Sequence, residues 1–370
     1  MHTLPPDAAE SSPPDPIQAT ASQPPLSPSK TIILGLSGPS SSGKTTLARL
    51  LRSIFNVSVT VPVPVPVADT DKDGNGTGTG EKEYRLSLFI LHQDDFYKTD
   101  KDVPWVTVSS PRHGTRTEQD WDCVGSLDLP LFRSTLSHVC KHGTLPPDII
   151  SIEDQNSVGD VHVSSDEVNA LHEQIRSWFA GVIRTHVATI STTDTHTEER
   201  VPREVRICVL EGFLLYPPSP TSAEKDFAST ARGGLAGDET DELVELYDLT
   251  HELLSAKLFL PCTKSQMVER REKRTGYVTL EGFWTDPPGY VEDVVWVNYK
   301  RYHGWMYQGD AQGDAEGEGE GEVFDEQRCR DGGVKVFLGP NKEVGRGTMK
   351  ESLDWGVGEV KGVVEGLLEI

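Results

Sequence analysis

Apolar residues along the chain gather into short β-branched runs, each followed by a stretch with helical spacing. TIILGLSG (31–38) is a run of strand formers, and KTTLARLLRSIF (44–55) follows with Leu47, Leu50, Leu51 and Ile54 on one helical face. LSLFIL (86–91) closes a second strand over 84–91, and Leu127, Leu131, Phe132, Leu136 and Val139 predict a helix over about 126–141. VRICVLEG (205–212), AKLFLPC (256–262) and VKVFL (334–338) predict three further strands. Helices are predicted over SQMVERREKR (265–274), over GYVEDVVWVNYKRYHGWMY (289–307) with an aromatic face, and over about 348–369. Strands alternating with helices predict an α/β fold: a five-stranded parallel sheet with helices on both faces.

Several stretches break this rhythm. Residues 1–30 are rich in proline and serine, and they predict a disordered tail. Residues 31–370 are expected to form a single domain with loop insertions at about 60–83, 144–204, 217–250 and 308–328. VPVPVPVADTDKDGNGTGTGEKE (61–83) is expected to lie outside any packed element, because alternating prolines cannot sit in a central strand. Within 144–204, VNALHEQIRSWFAGVI (168–183) predicts a helix flanked by polar loops.

Charge narrows the partners. The formal net charge of −23 disfavours nucleic acid and anionic membranes as partners, since both call for a basic surface. The acid is uneven: GDAQGDAEGEGEGEVFDE (309–326) holds eight acidic residues and no basic one, whereas ERREKR (269–274) is a local cationic site. Five scattered cysteines without a CxxC pair predict a reducing compartment and no zinc site. No apolar run approaches the roughly 20 residues that cross a bilayer, and the first residues lack the basic start of a signal peptide. Together these predict a cytoplasmic protein, with the nucleus as an alternative. Protein partners of the insertions stay open.

GPSSSGKT (38–45) matches G-x-x-x-x-G-K-[ST] between a predicted strand and a predicted helix. Gly38 and Gly43 let the backbone turn its N–H groups inward, and the helix N-terminus favours anions. Lys44 supplies a point charge for the β- and γ-phosphates, and Thr45 a hydroxyl for Mg²⁺. Ser40, Ser41, Ser42 and Thr46 complete the expected nucleoside triphosphate site.

A switch GTPase would also carry a guanine-reading NKxD, and the nearest match, NKEV (341–344), lacks the aspartate. A kinase instead needs a carboxylate at the end of a neighbouring strand to take a proton from the acceptor hydroxyl. LHQDDFYKTD (91–100) places Asp94 and Asp95 there, followed by Phe96. Either they serve the acceptor and the metal, or they cap a turn, to which Asp is equally suited. Glu211 ends the strand VRICVLEG, where a carboxylate can hold Mg²⁺, and a strand-end cap is its alternative. Arg270, Arg271 and Arg274 can clamp a phosphoryl group or merely form a solvated basic face. Trp121 can stack on a flat ring while Asp122 accepts from ribose hydroxyls. The same two residues can also be a core cover and a helix cap.

In this order, GLSGPSSSGKTTLARLL, QDDFYK (93–98), QDWD (119–122), LEGFLLY (210–216) and ERREKRTGY with DPPGY resemble the nicotinamide riboside kinases, a branch of the uridine-kinase-like P-loop kinases. The resemblance covers roughly 200 residues of core. It implies transfer of the ATP γ-phosphate to the 5′-hydroxyl of nicotinamide riboside, giving the mononucleotide for NAD synthesis. On matching positions it implies Asp94 as base, Thr45 and Glu211 as Mg²⁺ partners, Asp122 as ribose contact and the three arginines as lid candidates. Asp95, Phe96 and Trp121 are expected around the small-molecule acceptor. A uridine or cytidine kinase of the same fold is the near alternative, and a non-catalytic ATP-binding regulator the distant one.

Overall fold

The edge of the central sheet is where the chain departs most from its sequence pattern. A computed structural model describes residues 29–66, 77–149, 151, 161–191, 201–220, 237–274, 276–279, 282–308, 323–340 and 343–368. In chain order the elements are β1 (Ser29–Ser37), α1 (Lys44–Phe55), β2 (Val57–Pro66), β3 (Thr77–His92), β4 (Trp105–Ser110), β5 (Gly114–Gln119), α2 (Leu129–His142), α3 (Ser165–Ser191) and β6 (Glu204–Gly212). They continue as α4 (Gly237–Leu253), β7 (Ala256–Phe259), α5 (Lys264–Glu272), β8 (Tyr277–Thr279), β9 (Gly282–Trp284), α6 (Trp296–His303), α7 (Glu326–Asp331), β10 (Val334–Val336) and α8 (Met349–Leu368).

The described sheet has six strands in the order β10-β7-β1-β6-β3-β2, and all neighbours are parallel except β2 with β3. The five expected strands are all present; β2 is the sixth. Its residues 61–66, and residues 77–83 at the start of β3, fall in the segment expected to stay unpacked. Val57, Val59, Val61 and Val63 are buried while Ser58, Thr60, Pro62 and Pro64 are exposed, a period-two pattern that the prolines mask. Pro62, Pro64 and Pro66 share one parity, so their nitrogens can all face the open side of an edge strand, where no ladder donor is needed.

Two apolar clusters cover the two faces of the sheet. One joins β1, β2, β3 and β6 to α1, α3 and α8, with Ile175, Phe179, Ile183 and Val187 of α3 buried in it. The helix expected at 168–183 therefore belongs to the core. The other face carries α2, α4 and the aromatic stretch Tyr299, Tyr302, Met306, Tyr307 and Phe324. The helical stretch expected over 289–307 opens as a π-type turn, Val291–Val295, before α6. Two small hairpins, β4–β5 and β8–β9, stand apart from the sheet. The expected tail up to residue 28 lies outside the described residues, as do 67–76, 221–236 and 309–322 of the expected insertions and residues 341 and 342 of NKEV. Among the described residues no helix is long and apolar enough to cross a membrane.

Parallel register brings the carboxyl ends of the central strands level: His92 sits opposite Glu211, and Leu36 opposite Glu211 from the other side. At the opposite end Arg206, buried, donates to the His142 and Gly143 carbonyls at 3.1 Å each and to Glu204 at 2.9 Å. It satisfies the last carbonyls of α2 and neutralises a buried carboxylate together. Arg206→Ala strands both and is expected to cost about 3–5 kcal/mol in urea unfolding at neutral pH. A loss below about 1 kcal/mol would mean that water takes over these partners.

Candidate active site

Beyond β1 the chain turns through Gly38 (φ 152°), Ser41 (φ 61°) and Gly43 (φ 101°) before α1 begins at Lys44. A Cβ at Gly38 would run into the Leu260 carbonyl, and at Gly43 the left-handed φ strains any residue with a side chain, so the turn favours glycine at both places. Lys44 is buried, donates to the Pro39 carbonyl at 3.0 Å and lies 3.8 Å from Glu211 Oε1. The hydroxyls of Ser41 and Ser42 are buried with no partner among the described residues. Two orphaned hydroxyls and the open N–H groups of a helix start form a cradle that an acceptor-rich, anionic group would satisfy.

Glu211 is the centre of a buried polar cluster. Its Oε2 is 2.8 Å from His92 Nδ1, and the Thr45 hydroxyl also bonds the carboxylate. Burial pushes the Glu211 carboxyl up, but His92, Lys44 and Thr45 together carry it below its ordinary range, so it stays ionised. Thr45 and Glu211 thus offer a hydroxyl and a carboxylate side by side, the hard oxygen pair that suits Mg²⁺.

Gln93–Phe96 forms one 3₁₀ turn off the end of β3. Three residues per turn set Gln93 and Phe96 on one face and leave Asp94 and Asp95 outward. Gln93 is buried and bonds both the Leu214 carbonyl (2.7 Å) and its N–H (2.9 Å), fixing the turn to the end of β6. Asp94 and Asp95 are half-buried, and Asp95 accepts from Ser151 at 3.3 Å. Phe96, expected at the acceptor, packs instead in the core against Phe132 at 5.0 Å between ring centres.

Trp121 and Asp122 come in on the loop after β5, and both are buried. Trp121 meets Tyr97 edge-on at 5.4 Å and Trp284 at 5.8 Å, and Tyr97 in turn stacks on Phe213 at 6.1 Å. The Trp121 indole N–H is buried with no partner among the described residues. Tyr290 holds this loop: its hydroxyl accepts from the Trp121 backbone N–H at 3.0 Å and bonds the Asp122 carboxylate. Burial raises the Asp122 carboxyl, with Asp286 adding to the effect and Arg271 and Lys44 opposing it. Burial likewise raises the Tyr97 phenol well above its usual value, helped by Asp94 and Asp122, which places both carboxylates close to it.

The three arginines separate. Arg271 is buried and donates to Ser40 Oγ at 2.8 Å from Nη1, which also lies 3.9 Å from Asp122. Arg270 donates to the Ser41 carbonyl at 3.2 Å, and Arg274 is exposed. Arg271 is therefore the arginine that joins the glycine turn to the Trp121 loop. Sequence reading missed His92, Tyr97, Asp120, Trp284, Asp286 and Tyr290. Asp286 and Tyr290 lie in DPPGY, a stretch with a visible signature but no assigned task.

Three curated fungal proteins are similar to this chain. The nicotinamide riboside kinase of Schizosaccharomyces pombe is 28% identical over 284 residues, 76% of this chain and 84% of that one. That of Saccharomyces cerevisiae is 24% identical over 284 residues (76% and 82%). That of Eremothecium gossypii is 22% identical over 278 residues (75% and 78%). No family model matches the chain. The resemblance carried by the motifs thus extends over three quarters of the chain.

Asp120, beside Trp121, generates a prediction. It accepts from Asn298 at 2.8 and 2.9 Å and from the Asp122 N–H at 3.1 Å, yet burial pushes its carboxyl up to about 7. A folded-state value above the unfolded one means the native form holds an extra proton between about pH 4 and 7. Its contribution to stability is then greatest below pH 4 and is lost as pH rises through 7. Asp120→Asn removes that dependence. Urea unfolding from pH 4 to 8 should show the variant gaining on the wild type by up to about 1.4 kcal/mol per pH unit, levelling above pH 7. Parallel curves would mean that Asp120 is ionised throughout.

Proposed function

We propose that the chain transfers the γ-phosphoryl group of ATP to the 5′-hydroxyl of nicotinamide riboside, giving the mononucleotide used in NAD synthesis. The similarity to three nicotinamide riboside kinases supports a kinase phosphotransferase and this acceptor. The observation that carries the reading at the residue level is Arg271, 2.8 Å from Ser40 and 3.9 Å from Asp122. It puts a cation between the cradle with its orphaned hydroxyls and the aromatic loop, where a phosphoryl group must cross.

In this reading the triphosphate lies along Gly38–Thr46, with Ser40, Ser41, Ser42 and Thr46 lining the turn and Lys44 at the β/γ bridge. Thr45 and Glu211 would hold Mg²⁺, which when bound neutralises charge on the phosphate oxygens. Asp94 takes the proton of the 5′-hydroxyl as its oxygen bonds the γ-phosphorus, and the bond to the β-γ bridging oxygen breaks with its electron pair leaving on ADP. Asp95, tied to Ser151, keeps the neighbouring carboxylate in place. Arg271 stabilises the charge spread over the transferred group, with Arg270 above the turn and Arg274 just past the end of α5.

The acceptor ring lies against Trp121 and the ribose hydroxyls bond Asp122. Nicotinamide riboside carries a cationic pyridinium. An indole face attracts a cation by about 0.5–2 kcal/mol, and the Asp94 carboxylate adds to that preference over a neutral pyrimidine.

ADP release with Mg·ATP tests this, with nicotinamide riboside and uridine as parallel acceptors. Turnover is expected with the riboside, and Asp94→Asn should lower kcat by about 10²–10⁴-fold with ATP still bound. Preference for uridine would move the chain to the pyrimidine nucleoside kinases. ATP binding without turnover would favour a regulatory role, and near-normal turnover of Asp94→Asn would remove Asp94 as base.

A further inference from the structure

Asp286 is a short-range hub that neither the motif reading nor the proposed reaction uses. Its Oδ2 accepts from Arg271 Nε at 2.7 Å and its Oδ1 from Arg271 Nη2 at 3.0 Å, a two-pronged fork. Oδ1 also accepts the Trp284 indole N–H at 3.0 Å. One carboxylate therefore anchors the guanidinium that reaches Ser40 of the glycine turn and the ring that packs on Trp121. The side chains are largely enclosed, Arg271 at 8% and Asp286 at 16% exposure, so the fork is shielded from water.

Competition between carboxylates gives the fork its purpose. Asp122 lies 3.9 Å from Arg271 Nη1, too far for a good hydrogen bond. If Asp286 did not hold Nε and Nη2, Asp122 would be the nearest anion to the guanidinium. Arg271 would then turn from Ser40 towards Asp122 and occupy the carboxylate needed by the acceptor. With the fork in place, Nη1 stays directed at the cradle and Asp122 stays available.

We infer that Asp286 is a positioning residue that couples the two substrate sites, because it fixes the phosphate-side Arg271 and the ring-side Trp284 through one carboxylate. The inference rests on the proposed assignment of triphosphate to the glycine turn and riboside to the Trp121 side. A ligand that settles either partner settles the shared anchor, and the second ligand then meets a site already ordered. Such coupling is reciprocal: each ligand tightens the other by the same factor.

Calorimetric titration of nicotinamide riboside into the full chain, with and without a saturating non-hydrolysable ATP analogue and Mg²⁺, reads the factor directly. The wild type should show the riboside bound roughly 5- to 100-fold more tightly with the analogue present. In Asp286→Asn an amide N–H₂ faces the guanidinium donors, so the factor should fall to near one. The thermal midpoint of each protein shows whether it is folded. Trp284→Phe keeps an aromatic ring while removing the indole N–H and shrinking the bicycle; it should lower the factor while leaving analogue affinity unchanged, and it serves if Asp286→Asn does not fold. Undiminished coupling in a folded Asp286→Asn, or none in the wild type while both ligands bind, would overturn the inference. Analogue binding with no riboside binding at all would overturn the acceptor reading and this inference with it.

Discussion

Lys44 is a buried cation at the end of the central strand, and the rest of the sheet is arranged around keeping it paired. A buried lysine without a partner costs several kcal/mol or gives up its proton. Its partner, Glu211, is itself buried and is steadied by His92 and Thr45. Lys44 follows β1, Glu211 ends β6 and His92 ends β3, so the cluster works only if those three strands are neighbours in that order. A register slip of one residue in either ladder would turn His92 or Glu211 to the other face of the sheet. The fold and the charge arrangement thus constrain each other.

The two ends of the sheet use their polar groups differently. At the amino ends, Arg206, Glu204 and the last carbonyls of α2 satisfy one another. At the carboxyl ends, the Ser41 and Ser42 hydroxyls and the Trp121 indole N–H have no partner among the described residues. Burial also raises Asp120 and Asp122. Cores rarely tolerate such groups, and in the proposed reading the orphaned atoms of the glycine turn and the Trp121 loop are those that bound substrates would satisfy. The imbalance is also chemical: spare hydroxyl donors suit a phosphate chain, and crowded carboxylates suit a hydroxylated, cationic acceptor.

What could be read from the sequence follows from how local each feature is. The five parallel strands, the glycine turn and the ends at Asp94 and Glu211 depend on runs of ten residues or fewer, where periodicity and punctuation carry the signal. β2 was hidden because alternating proline reads as a break, although valine alternation inside it gives an edge strand. Phe96 looked like an acceptor contact because it adjoins Asp95, but the 3₁₀ turn sends it inward with Gln93. His92 gave no signal because its meaning comes from Glu211, 119 positions away. Asp286 acts through Arg271 across the β8–β9 hairpin, and no spacing rule predicts that pairing.

The same contrast separates the two halves of the site. The half proposed for the donor is one strand, one turn and one helix start, contiguous from Ser29 to Phe55. In the proposed reading the acceptor half is assembled from the turn after β3, the loop after β5, the end of β6 and the Trp284–Tyr290 stretch, and α4 braces it. Glu239, Glu242 and Glu245 recur at three-residue spacing along α4 and pair with Arg301, Lys98 and Arg133. Lys98 in turn donates to the Gly125 carbonyl at 2.8 Å, beside the loop that carries Trp121. α4, most of which falls in the stretch expected as a loop insertion (217–250), instead packs Leu243, Leu246 and Leu249 into the core and braces the loop that carries Trp121 through surface pairs that are individually weak.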